Sequence, residues 1–82
     1  MTTLDQIQVG ESATVSALWH SGSMRRRLQD IGLIKNTTVE CVGRSPAGDP
    51  SAYLIRGAVI AIRASDAKKI CVEPLTQKEV EG

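Results

Sequence analysis

The chain has 82 residues, a formal net charge of +1 and 41% hydrophobic residues, with no Phe and with Trp19 and Tyr53 as its only aromatics. This suffices for one domain with an aliphatic core and is too short for two. It also argues against functions that need a strong basic field or stacking aromatics. The longest apolar run, residues 58–62, is far shorter than the roughly 18 residues of a membrane span. The N-terminus lacks the basic and apolar regions of a secretory leader, and two cysteines are too few for a disulfide framework. The expected setting is cytoplasmic. No Lys or Arg precedes Arg25, so the middle of the chain is mildly basic and both ends are mildly acidic.

In chain order, Thr3 is expected to cap a single turn, with Gln6 three residues on completing a capping box and Leu4 and Ile7 sharing a face. Residues 12–19 alternate Ala13, Val15 and Ala17 against Thr14, Ser16 and Leu18, the period of a strand. Ser23 is a candidate N-cap for a helix whose Met24, Leu28 and Ile31 form one apolar stripe. Gly32 suits the left-handed residue that closes it, with Leu33 folding back as the apolar contact.

Lys35-Asn36 reads as a turn, because Asn tolerates positive φ. Residues 37–43 read as a strand with Val39 and Cys41 on one side. Residues 45–50 are turn chemistry throughout. Strands are expected at 51–56 and 58–63, joined at Gly57. Ser65 is expected to cap one turn at 66–68, and a last strand at 69–73 is expected to end at Pro74. Residues 1–75 then form the domain, and 76–82 a polar C-terminal tail. Five short sequential strands with one helix after the first, and one-turn helices near each end, predict a mainly β, small SH3-like barrel. Closure would remove its exposed edges.

Such a barrel has no room for a buried active site, so its surface must act. No nucleophile stands with a base and an orienting group, and no phosphate-cradling glycine loop is present. No catalytic residue and no cofactor site are therefore assigned. His20, Cys41 and Cys71 lack the close pairing of metal sites, so no metal ligand is assigned. His20 is expected to be exposed, and Cys41 to be a small core hydrophobe. The run Arg25-Arg26-Arg27 offers an electrostatic docking face, with Arg26 able to pair with Asp30 at i, i+4 and Arg27 laying its stem over the core. Tyr53 and Arg56, on one strand, join apolar and cationic character as partner surfaces do. The candidate partner-binding residues are Arg25, Arg26, Tyr53 and Arg56.

An ordered set of residues resembles the FeoA family of small cytoplasmic proteins of bacterial ferrous iron transport. The set comprises Leu4 and Ile7 before Gly10, Val15, the segment Arg27-Leu28-Gln29-Asp30-Ile31-Gly32-Leu33, Pro46, Gly48-Asp49-Pro50, Ile60-Ala61-Ile62-Arg63, Asp66-Ala67, and Ile70 and Val72. The resemblance implies an SH3-like fold, related to the C-terminal domain of iron-dependent repressors, and a role beside the membrane transporter FeoB, which carries a cytoplasmic GTP-binding domain. It implies no catalytic activity. Family members usually place Pro-Gly where this chain has Lys35-Asn36, and no family role attaches to Cys41 or Cys71. The resulting expectation is a non-catalytic cytoplasmic accessory protein that binds and modulates FeoB through its surface, with weak homo-oligomers as a further possibility. A transition-metal-binding regulatory or sensor domain and a nucleic-acid-binding small barrel are the alternatives.

Overall fold

The computed structural model describes residues 2–75, so the reading of 76–82 as a tail lies outside the described residues. Six antiparallel strands form one sheet: β1 Thr2–Thr3, β2 Ser12–Leu18, β3 Thr38–Arg44, β4 Ser51–Ile55, β5 Ala58–Ile62 and β6 Ile70–Leu75. A 3-10 turn, Leu4–Gln6, follows β1. Helix α1, Gly22–Asp30, follows β2, and the one-turn helix α2, Ala64–Ala67, separates β5 from β6. The strand order is β1-β6-β2-β3-β4-β5.

The mainly β expectation stands, with two corrections. The sixth strand is β1, whose Thr2 and Thr3 pair with Val72 and Cys71; two residues carry no detectable period. Among the described residues the sheet is also open, not closed, with β1 and β5 at its two ends.

Alternation places the core. Ala13 and Val15 of β2, Val39 and Cys41 of β3, and Tyr53 and Ile55 of β4 all point inward. Leu4, Ile7, Leu28, Leu33, Ile62 and Ile70 complete the same cluster, with Leu18, Met24, Ile31 and Ile60 half-buried against it. Three consecutive residues of β6, Ile70, Cys71 and Val72, are buried, because β6 lies between β1 and β2. The exposed Trp19 covers part of that strand and donates its indole N–H to Cys71 Sγ at 2.7 Å. Pro74 does not end β6: it pairs with Ala13. The β1 partners stop at Val72, so Pro74 sits where β6 has become an edge, and edges tolerate a missing N–H.

Tyr53 is corrected from surface to core. Its ring is 1% exposed, its hydroxyl donates to the Leu4 carbonyl at 3.4 Å, and burial pushes its phenol pKa up. Arg44 fastens the same region, donating from Nε to Ser51 Oγ at 2.8 Å and from Nη2 to the Ile7 carbonyl at 3.0 Å. The turn it holds is capped as expected, with Thr3 N–H donating to Gln6 Oε1 at 3.1 Å. The Thr3 hydroxyl also bonds the Asp5 carboxylate.

Helix α1 starts before the expected cap. Its first residue is Gly22, which takes φ 63°, cheap for glycine, and Ser21 takes the capping position without a side-chain cap bond. At the other end the helix closes as a Schellman motif. Gly32, at φ 95°, donates to the Gln29 carbonyl at 3.0 Å, and Leu33 donates to the Leu28 carbonyl at 2.9 Å. The Arg56 side chain lies directly over Gly32, where an added Cβ would stand 2.2 Å from Arg56 Cδ. Arg56 (φ 51°) and Gly57 (φ 87°) form the two-residue turn between β4 and β5, and Asn36 takes φ 77° at the turn before β3. The cap of α2 comes from outside it: Asp49 Oδ1 accepts from Ala64 N–H at 2.8 Å, so Ser65 is not the cap.

His20 is the second residue corrected from surface to interior. It is buried, neither ring nitrogen forms a hydrogen bond, and Nε2 lies 3.8 Å from Asp66 Oδ1. Desolvation lowers its pKa below the usual 6.5; Lys69 and Arg25 push the same way, and Asp66 opposes them.

Two outcomes are expected. Gly32→Ala should destabilise the fold by about 1–3 kcal/mol, read by urea denaturation. Combining it with Arg56→Ala should recover the steric part as a coupling of roughly 0.5 kcal/mol or more. Gly10→Ala, at φ 95° with open space around it, should lose only the backbone component; equal losses at both glycines would remove the Arg56 contact from the account. For His20, the unfolded chain binds the proton more readily than the native one. Stability should therefore be full above about pH 6.5 and fall as pH drops through the lower native value. His20→Gln should flatten the profile just below about pH 6.5, and an unchanged slope would show that another group titrates there.

Candidate partner-binding groove

One face of α1 is left incompletely covered. Met24, Leu28 and Ile31 form the expected stripe, but only Leu28 is buried. Met24 and Ile31 look across to Ile60, Ala61 and Ile62 of β5, and the space between holds a groove of about 430 Å³. That is within the roughly 300–1,000 Å³ of ligand pockets. Arg27, Arg63 and Asp66 complete its lining. The apolar walls come from a helix and a terminal strand that would pack together in a closed barrel; here the strand order leaves them facing with room between.

Charge around the groove is mainly positive. Arg27 and Arg63 are exposed, whereas the one carboxylate, Asp66, is directed toward His20. Arg25 is exposed but tethered: its guanidinium donates to the Leu18 carbonyl at 3.0 Å, joining the start of α1 to the end of β2. Arg26 is exposed, and the expected Arg26–Asp30 ion pair does not form among the described residues. Arg56 is exposed at the β4–β5 turn, its stem covering Gly32. The structure therefore keeps Arg25, Arg26 and Arg56 on the surface and removes Tyr53 from it. On β4 the outward side chain is Leu54, half-buried, not Tyr53.

The groove itself was not anticipated. Its signal was the unbroken run Ala58-Val59-Ile60-Ala61-Ile62, which does not alternate as a half-solvated strand should. Arg27, expected to lay its stem over the core, is exposed and lines the groove.

Other chemistry finds less to work with. Among the described residues, no group of three or more His, Cys, Asp or Glu side chains is placed to hold a metal ion. Cys41 is fully buried and bonds through Sγ to the Gly43 carbonyl at 3.7 Å. With Tyr53 buried, Trp19 is the one exposed aromatic among the described residues. No helix among them is long and apolar enough to cross a membrane.

Comparison with known proteins gives the family. Residues 2–74 match the family described as FeoA domain. A Porphyromonas gingivalis protein named Fe(2+) transport protein A/Fe(2+) transporter FeoB fusion protein is 30% identical over 70 residues; the match covers 85% of this chain and 8% of that protein. The chain thus spans less than a tenth of the length of this relative. The solution structure of the FeoA protein from Chlorobium tepidum superimposes with a TM-score of 0.86 at 28% identity, covering 92% of this chain and 71% of that one. The zinc-complexed FeoA of Stenotrophomonas maltophilia, described as a prokaryotic SH3 domain protein, gives 0.78 at 28% identity over 89% and 91%. A manganese-dependent transcriptional repressor shares the fold alone, at 0.80 and 21% identity, over 90% of this chain and 36% of that one. The fold is therefore SH3-like, and the chain belongs to the FeoA domain family, a family of ferrous iron transport.

Proposed function

We propose that the chain is a non-catalytic, cytoplasmic accessory domain of ferrous iron transport that docks on the cytoplasmic part of an FeoB transporter and modulates it. The observation that carries this reading is the Porphyromonas gingivalis relative, in which a similar domain is named as joined to FeoB in one polypeptide. Covalent fusion holds two domains at high effective concentration. A separate chain must obtain the same proximity from its own surface.

That surface has the necessary character. Exposed Arg25, Arg26 and Arg56 flank an apolar groove, and cationic rims steer encounters and set register more than they add raw affinity. The groove gathers two arginines and one carboxylate, Asp66, and the reading assigns no reaction to this domain.

In membranes or detergent, tagged FeoB is expected to retain the full-length chain, and raised salt should weaken retention. Charge reversal at Arg26, whose side chain makes no bond among the described residues, should lower association by roughly tenfold, mainly through the on-rate. Failure of the chain to associate with FeoB under any of these conditions would sink the proposal.

A further inference from the structure

The strand that ends the sheet lacks the features that normally keep edges from pairing. β5 is Ala58-Val59-Ile60-Ala61-Ile62, with no charge, no proline and no bulge against β4. Edge strands present unpaired N–H and C=O groups that template another strand, and natural proteins blunt them with Lys, Pro, bulges or a covering element. Hairpin geometry says which groups are open here. A two-residue turn makes Ile55–Ala58 the first hydrogen-bonded pair, so Tyr53–Ile60 and Ser51–Ile62 also exchange bonds across the β4 ladder. Val59 and Ala61 then direct their N–H and C=O groups away from β4. Among the described residues no other backbone group bonds to them, and no strand lies beyond them.

This open edge borders the groove described above. We propose that an extended, acidic segment of a partner protein docks there by adding a strand to β5. Its backbone bonds Val59 and Ala61, alternate apolar side chains enter between Met24, Ile31 and Ile60, and its carboxylates meet Arg27 and Arg63. The proposal rests on the docking reading and specifies the conformation and charge of what docks. Strand addition takes affinity from main-chain bonds and specificity from pockets for alternate side chains, and this edge and groove supply both. A polyproline ligand fits less well, because such grooves are lined by aromatics and the lining here has none. A second copy also fits less well: antiparallel pairing of β5 with itself, Val59 opposite Ala61, would set Arg56 of each molecule near Arg63 of the other, and like charges across a strand pair are destabilising.

The test titrates the 15N-labelled full-length chain with a capped peptide of alternating Val and Glu, at up to about 1 mM. Controls are its Lys-for-Glu counterpart and two versions N-methylated on alternate residues, one of which blocks the bonding edge. The acidic peptide is expected to shift amides of β5 and α1 and to slow hydrogen exchange at Val59 and Ala61 by roughly tenfold or more. The Lys peptide and one N-methylated version should bind at least about tenfold more weakly. Ala61→Pro, at an outward edge position where proline is tolerated, should keep the native spectrum and lose the peptide. Overturning results are an absence of shifts, shifts confined to other faces, equal binding of the Lys peptide or of both N-methylated peptides, or self-association through β5 that excludes the peptide. If FeoB retains Ala61→Pro as well as it retains the unmodified chain, docking stands and strand addition falls. If the peptide protects Val59 and Ala61 while FeoB retains neither chain, the edge stands and the choice of partner falls.

Discussion

The closure of α1 at Gly32 is the constraint on which the working surface depends. The left-handed residue turns the chain so that Leu33 enters the core beneath Leu28, and that fixes the helix on the sheet. Its missing Cβ lets the Arg56 stem lie over the helix end. The helix terminus is thereby coupled to the β4–β5 turn, and the turn sets where β5 begins. The two walls of the groove are held in register through this contact, although they are distant in sequence.

A core this small stabilises weakly, typically by about 3–5 kcal/mol below ~80 residues, so polar side chains are used as fasteners. Arg44 ties β3 to Ser51 and to the exit of the N-terminal turn. Tyr53 ties β4 to that turn's first residue. Trp19 covers β6 through Cys71. These side chains combine a long apolar body with a polar tip, which lets them add burial without leaving the tip unsatisfied. It also explains why Tyr53 is not at the surface: with no Phe in the chain, the tyrosine fills the large core position on β4.

The same economy accounts for the open edge. With α1 resting on the sheet through one stripe and β5 at the end of the strand order, closing the barrel would bury Arg27 and Arg63 beside apolar side chains, and burying charge without a partner is costly. The arginines give the groove its sign. In the proposed docking role, association is what this surface serves.

The sequence by itself determined the mainly β class, the helix and its glycine closure, the Asn36 turn, the capping box and most inward positions, because each depends on local conformation or a short period. The family resemblance was legible for the same reason: its residues are those turns, closures and core positions. Strand β1, the cap on α2 from Asp49, the burial of His20 and the continuation of β6 through Pro74 all depend on which segments lie side by side. Tyr53 and Leu54 shared one strand, and only the register with β3 and β5 decided which faced inward. Arg25, Arg26 and Arg56 were legible as exposed charges, but the groove was not. A groove is a space between elements, and strand order, which leaves the outer edge of β5 open beside α1, is a property of the assembled sheet and not of any stretch of chain.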